Sequence, residues 1–278
     1  MLRAVPGKAE SREQRGAGDG MGAARGDWYV KSVEKAFTVL GAFTEEQPLQ
    51  SVSEVAAAAD LSRAAARRFL LTLTELGYLS TDGTRFQLAP RVLNIGSAFL
   101  SSLTLPAIAE PHLKALSADL QETASVCILD DVHVVYVARV TSPRLVSVAV
   151  HVGTRFPAWA TSMGRVLLGA LDEADLVDRV QRSDVRRFTP NTVPSREALL
   201  AEIRGVRERG WSVVREEYEE GLSGVAVPVY RAGRVVAAAN VSLHQPYGRP
   251  NSLDEVLLPR LSRAAEDISA DYGIRLTG

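Results

Sequence analysis

Between Ser32 and Leu88 the sequence sets out three short apolar stripes at helical spacing, then two extended runs folded about Asp82-Gly83-Thr84. Elements this short bury an apolar side only against one another, so together they must share one small core. The first stripe is Val33, Ala36, Phe37, Leu40 and Phe43, behind Ser32 as a cap, and Glu45 to Leu49 ends it. Ser51 with Glu54 three residues on has capping-box spacing, and Val55 with the alanines after it predicts a short second helix. Asp60-Leu61 is the turn. Ser62 caps a third helix, with Ala66, Phe69, Leu70, Leu73 and Leu76 inward and Ala64, Arg67 and Arg68 outward, until Gly77 stops it. Tyr78–Thr81 and Arg85–Leu88 then form a hairpin wing around Gly83.

Three helices and a wing are the plan of a winged helix-turn-helix, whose second motif helix enters the DNA major groove. The chain has 278 residues and a formal net charge of −1, so no whole-molecule field draws it to a polyanion, and any nucleic-acid contact must be local. Arg63, Arg67 and Arg68 then have two readings. They are a solvated face, or they meet DNA with small alanines beside them to permit close approach. The whole motif favours the second, because Glu75 is the one acid between Ser62 and Gly77.

Residues 1–27 mix both charges with Gly and Ala and have no apolar period, which predicts a disordered tail, with Met21 as an alternative start to Met1. The Gly16, Gly18, Gly20 cluster has no strand before it and is no phosphate loop. Domain boundaries are expected at 28–89 for the winged helix, 90–105 for a linking helix through Pro90 to Leu100, and 106–278 for a second domain. There, a helix over residues 107–122 precedes strands read in "SVCILDD", "HVVYVARV" and "LVSVAVHV". Helices are expected over Met163–Leu171, Glu173–Gln181, Arg196–Glu208 and Leu253–Tyr272, and strands in "WSVVREE", "GVAVPVY" and "VVAAANVSL". Hairpin links such as Arg231-Ala232-Gly233 favour an α+β domain with an antiparallel sheet flanked by helices, a form that suits small-molecule sensing.

Catalytic signatures are absent from the sequence. His112, His133, His151 and His244 are scattered and Cys127 stands alone, which gives no metal site and no internal disulfide. "ATSMG" lacks the first glycine of a nucleophile elbow and "GLSG", followed by Val225, also fails the pattern, while Arg215 to Glu220 reads as a solvated charge run. No catalytic residue and no cofactor is expected. With no membrane-length apolar run and no signal peptide, the expected location is cytoplasmic. "GTRFPAWATSMGRVLLGAL" is more telling. Thr161 and Ser162 stand before a helix whose free N–H groups suit an anion, with Arg155, Arg165, Phe156 and Trp159 close in sequence. The stretch describes either a pocket for a small aromatic or dicarboxylic acid, or simply a helix cap, a core tryptophan and surface arginines.

From about Tyr29 onward the chain resembles the IclR-type bacterial transcriptional regulators. "YVARV", "GTRFPAWATSMGRVLLG" and "EEYEEGLSGVAVPV" are most similar to the branch that controls aromatic-acid catabolism by the β-ketoadipate pathway, the PcaR, PcaU and PobR group. The resemblance implies a winged helix on a palindromic promoter operator, a linker helix used in dimerisation and a GAF-like effector domain. The implied partners are double-stranded DNA, a small carboxylic acid, a second copy in a homodimer or dimer of dimers, and RNA polymerase for an activator. By position, DNA would be met by Ser62, Arg63, Ala64, Ala65, Arg67 and Arg68, with Arg85 on the wing. The effector would be met by Arg155, Trp159, Thr161, Ser162, Met163, Leu222, Gly224, Asn240 and Ser242. Other IclR-type regulons, for acetate, glyoxylate or sugar acids, are the second reading, and an enzyme in the C-terminal half is the third.

Overall fold

The computed structural model describes residues 26–102, 104–142, 150–244 and 253–274. The chain divides into two units at Leu93/Asn94.

The first unit holds α1 (Lys31–Gly41), β1 (Gln50–Ser51), α2 (Val52–Ala58), α3 (Arg63–Glu75), β2 (Leu79–Thr81) and β3 (Arg85–Leu88). The two cap signals of α2 and α3 act as their chemistry dictates. Ser51 accepts from the Glu54 N–H while Glu54 reaches back to the Ser51 N–H, and Ser62 accepts from the Ala65 N–H. Asp60 takes the turn with φ 51°, and Gly77 ends α3 with φ 77°. In the wing, Asp82 Oδ1 accepts from the Thr84 and Arg85 N–H groups at 2.8 and 2.7 Å, and Gly83 has φ 96°. β1 pairs with β3, giving the order β1-β3-β2, and two residues are too few to show an alternating pattern in sequence.

Three expectations for this unit fail. Ser32 does not cap α1: Val30 holds that position, with no side-chain hydrogen bond. The stripe on α1 is also only half buried. Val39 and Phe43 join the core with Val55, Leu70, Leu73, Leu79 and Phe86, but Val33 and Phe37 are 52% and 60% exposed, because the helix runs past the core it packs on. Leu76 is likewise exposed, since Gly77 turns the chain away before its side is covered.

The linking segment opens as a 3-10 turn at Pro90–Val92 and becomes helical as α4 (Leu93–Ser102). The second unit continues through α5 (Leu105–Leu120), β4 (Thr123–Asp130), β5 (His133–Val140), β6 (Arg155–Pro157), a 3-10 turn at Ala158–Ala160, α6 (Ser162–Gly169), α7 (Glu173–Arg182), α8 (Arg196–Arg209), β7 (Ser212–Arg215), β8 (Leu222–Arg231), β9 (Arg234–His244) and α9 (Leu253–Ile274). Its six strands form one antiparallel sheet in the order β6-β5-β4-β9-β8-β7. Of the expected strand "LVSVAVHV", residues 145–149 lie outside the described residues. Val150 to Val152 are not a strand, because a turn through Gly153 (φ 93°) leads instead into β6.

Alternation along the strands builds two layers. Ala237, Ala239, Val241 and Leu243 of β9 and Val225, Val227 and Val229 of β8 face α5 and α9. Cys127, Ala226 and Ala238 face the layer of α6 and α8, where Trp159, Met163, Leu199 and Ile203 are buried. No described helix is long and apolar enough to cross a membrane.

Candidate functional site

In the first unit, packing of Ala66, Leu70 and Leu73 inward turns Arg63, Ala64, Arg67 and Arg68 outward, and all four are exposed, as is Arg85 on the wing. Ala65 is half-buried beside them. Among the described residues no carboxylate pairs with Arg63, Arg67 or Arg68, so α3 presents guanidinium groups whose charge only solvent and counter-ions offset. Arg91, which sequence reasoning did not single out, closes the far end of this helix by donating to the Leu76 carbonyl at 2.8 Å while it lies over the Tyr78 ring.

In the second unit a cavity of ≈ 90 Å³ opens between the sheet and the start of α6, room for several waters or one small ring. Strand register assembles its floor. Arg139 and Asn240 both pair with Ser125 of β4, which places the three side chains in one row on one face. Ser242 pairs with both Thr123 and Gly224, forming the next row. Thr161 and Ser162 bring the N-terminal end of α6 to the cavity; Thr161 Oγ1 caps it by accepting from the Gly164 N–H at 3.0 Å. Aromatic walls come from Tyr136, Phe156 and Tyr218, stacked edge to face at 5.7 and 5.2 Å and continued by Phe188 to Trp159.

Arg139 dominates the electrostatics. Its Nη1 donates only a long bond of 3.4 Å to Ser125, its head lies 5.9 Å from the Tyr136 ring, and its Nε is buried without a partner. Burial pulls its pKa below the ordinary guanidinium value, the state of a partly desolvated cation with no anion beside it among the described residues. Burial pushes the Tyr136 phenol up, so that group stays neutral.

Of the expected effector residues, Thr161, Ser162, Leu222, Gly224, Asn240 and Ser242 are brought together on this cavity. Arg155, Trp159 and Met163 are not. Arg155 points to the surface and pairs with Asp130 at the end of β4, while Trp159 and Met163 are sealed in the core behind the wall. Arg165 is committed elsewhere too. It is 2% exposed and grips Glu217 with two bonds of 2.8 and 2.6 Å, and its Nε donates to the Trp159 carbonyl at 3.0 Å. The charge run is therefore solvated only at Arg215, Glu219 and Glu220, while Glu216, Glu217 and Tyr218 are partly buried. Glu217 also accepts from the Val193 N–H, and the hydroxyls of Thr189 and Thr192 donate to the carbonyls of Glu216 and Glu217. This staple holds Tyr218 and Glu219 on the cavity. Sequence reasoning missed Tyr136, Arg139, Tyr218 and Glu219; for Arg139 the available signal was one charge inside the apolar run "HVVYVARV".

Comparison with known proteins agrees with both units. Residues 32–83 match the IclR helix-turn-helix domain and residues 97–270 the C-terminal domain of the bacterial transcriptional regulator IclR. The Pca regulon regulatory protein of Pseudomonas putida is 40% identical over 242 residues, covering 86% of this chain and 83% of that one. A crystal structure from Rhodococcus sp. RHA1 is 44% identical, covers 88% of this chain and 98% of its own, and has a TM-score of 0.76. The inducer-binding domain of an Acinetobacter PobR transcription factor, a double mutant crystallised with 3-hydroxybenzoic acid, is 33% identical with a TM-score of 0.56; the match covers 60% of this chain and 98% of that domain. These relatives and family domains are regulators rather than enzymes, and the chain belongs to the IclR family of DNA-binding bacterial transcriptional regulators, on the branch that holds the Pca and PobR proteins.

Proposed function

We propose that an aromatic carboxylic acid occupies the cavity of the second unit and that its binding controls how α3 engages an operator. The observation that carries this reading is Arg139, a half-buried cation whose buried Nε has no partner and which has no anion beside it among the described residues, set among aromatic rings beside the positive end of α6. A carboxylate supplies the missing charge, and a single ring suits the walls of Tyr136, Phe156 and Tyr218. The PobR domain crystallised with 3-hydroxybenzoic acid supports the same class of ligand. Calorimetric titration of the full-length protein with benzoate and 4-hydroxybenzoate tests it. Arg139→Leu is expected to weaken both by about 30-fold or more, because truncating one partner of a desolvated charge pair costs at least ~2 kcal/mol. Unchanged affinity in that variant would overturn the assignment.

In this proposal Ser62, Arg63, Ala64, Ala65, Arg67 and Arg68 face the major groove and Arg85 on the wing meets the duplex. Two copies read a palindrome whose half-sites are roughly 34 Å apart. The apolar side chains of Val33 and Phe37 left open on α1 support pairing with a second copy, as a homodimer or dimer of dimers in the cytoplasm, with RNA polymerase as a partner where promoters are activated. Arg67→Ala is expected to cost operator binding about 1–3 kcal/mol and random duplex less, measured by fluorescence anisotropy at fixed salt. Equal losses on both duplexes would assign Arg67 to phosphate alone.

The effector acts only through unequal binding to the DNA-competent and DNA-incompetent states.

A further inference from the structure

The C-terminal end of α3 has no cation of its own. No basic residue stands in its last turn, which carries Glu75 instead, although the carbonyl end of a helix is its negative pole. Arg91 supplies the charge from outside the helix. It lies 15 residues beyond Leu76, in the 3-10 turn Pro90–Val92 that opens the linking segment, and its Nη1 donates to the Leu76 carbonyl at 2.8 Å. Its stem crosses the bare backbone of Gly77, where a Cβ would stand 3.5 Å from both Arg91 Cδ and Nη1, and its guanidinium lies over the Tyr78 ring at 5.4 Å. Among the described residues it pairs with no carboxylate.

The start of the linking segment is thereby held at two points. The Ala89 N–H donates to the Tyr78 carbonyl at 2.9 Å, which ties the end of the wing to the residue after Gly77. One backbone bond is a pivot about which the chain that follows can swing. Arg91, two residues on, adds a second point on the other side of Gly77, and two points fix a direction where one fixes only a position. Pro90, with its ring-locked φ, and the bond from the Val92 N–H to the Ala89 carbonyl at 3.1 Å stiffen the short turn between them. All of these contacts lie within the first unit.

Direction matters to a protein that must present two recognition helices at once. Half-sites about one helical turn apart are read together only when the two α3 helices keep a set separation and angle, whereas a single half-site is indifferent to where the linking segment leaves. Leu93 and Ile95, at the start of α4, are 72% and 50% exposed and give the second copy further apolar surface in this segment.

We propose that Arg91 is a positioning residue that locks α3 to the start of the linking segment and so makes the protein selective for the spacing of its half-sites. This inference rests on the reading that two copies, paired through the linking segment, bind a palindrome.

Fluorescence anisotropy at low ionic strength, without added acid, provides the test, using the tightest inverted repeat that the full-length native protein selects from random duplex. Its companions are a single half-site and the same repeat with two base pairs inserted at the centre, which turns one half-site by about 70° around the axis. The native protein is expected to bind the lengthened repeat about tenfold or more weaker than the parent. In Arg91→Met, which keeps the stem and loses the cation, that factor is expected to fall about threefold or more, with half-site binding within about twofold of native. Arg91→Lys, which restores the charge at the helix end, is expected to recover most of the native factor. An unchanged factor in Arg91→Met, or a loss of equal size on all three duplexes, assigns Arg91 to capping or to a phosphate contact and overturns the proposal. A native protein indifferent to the insertion overturns the pairing on a palindrome, and the positioning role falls with it.

Discussion

Gly164→Ala is expected to unfold the second unit at ordinary temperature, although alanine is the better helix former by about 1 kcal/mol. The added Cβ would stand 2.0 Å from the Ala158 carbonyl oxygen and 2.4 and 2.5 Å from the Ala158 Cα and C. All three are backbone atoms of a 3-10 turn whose Ala158 and Trp159 are fully buried. No rotamer change relieves that overlap, so α6 and the turn must separate and the core behind them must open. A cost above ~4 kcal/mol follows, far beyond the propensity gain. Gly169→Ala in the same helix is the control, because its nearest neighbour atom would be 3.4 Å away, at ordinary contact distance. Thermal melts of the two variants check this, and equal melting temperatures would show that the close approach at Gly164 does not decide the packing.

Glu217→Ala is expected to lower the melting temperature of the protein by roughly 6–20 °C, from a loss of about 3–5 kcal/mol. The variant strands the Arg165 guanidinium, 2% exposed, with only the Trp159 carbonyl as a partner, and it removes the acceptor of the Val193 N–H. The large term is the orphaned charge rather than the net worth of the pair. Arg165→Met combined with Glu217→Leu is accordingly expected to recover much of the loss, since it replaces both charges with apolar groups. A double variant no more stable than Glu217→Ala would show that the hydrogen bonds to Val193 and Trp159, not the charge, account for the effect.

Local chemistry explains which parts of the fold were legible in sequence. The capping pair Ser51 and Glu54, the Ser62 cap and the Asp82-Gly83 turn act within a few residues, so their pattern survives any tertiary setting. A near-continuous apolar run predicted β5 over His133–Val140 with its observed bounds, because both of its faces are covered by the same molecule. Features set by distant partners were not legible. Glu217 meets Arg165 across 52 residues, and in sequence it is one of four acids in a row of six residues. Arg155 and Arg165 were equally plausible acid clamps near Thr161, yet Asp130 and Glu217 neutralise them, and the cation left for a ligand is Arg139 on another strand. Periodicity identified α1 but could not say where its neighbour ended, hence the exposed Val33 and Phe37. Thr161, Ser162, Gly224 and Asn240 come together because strand register joins two segments that sequence shows only as separate motifs.

The two-faced character of β9 from Ala237 to Leu243, beyond the bulge at Val236, has an evolutionary consequence. Ala238, Asn240 and Ser242 look one way and Ala239, Val241 and Leu243 the other. Selection can therefore change ligand preference by point substitutions at even-numbered positions while the odd-numbered ones keep the scaffold intact. A one-residue insertion or deletion in this strand exchanges the two sets at once, so descendants of this chain should diversify by replacement there and tolerate length changes only in the turns.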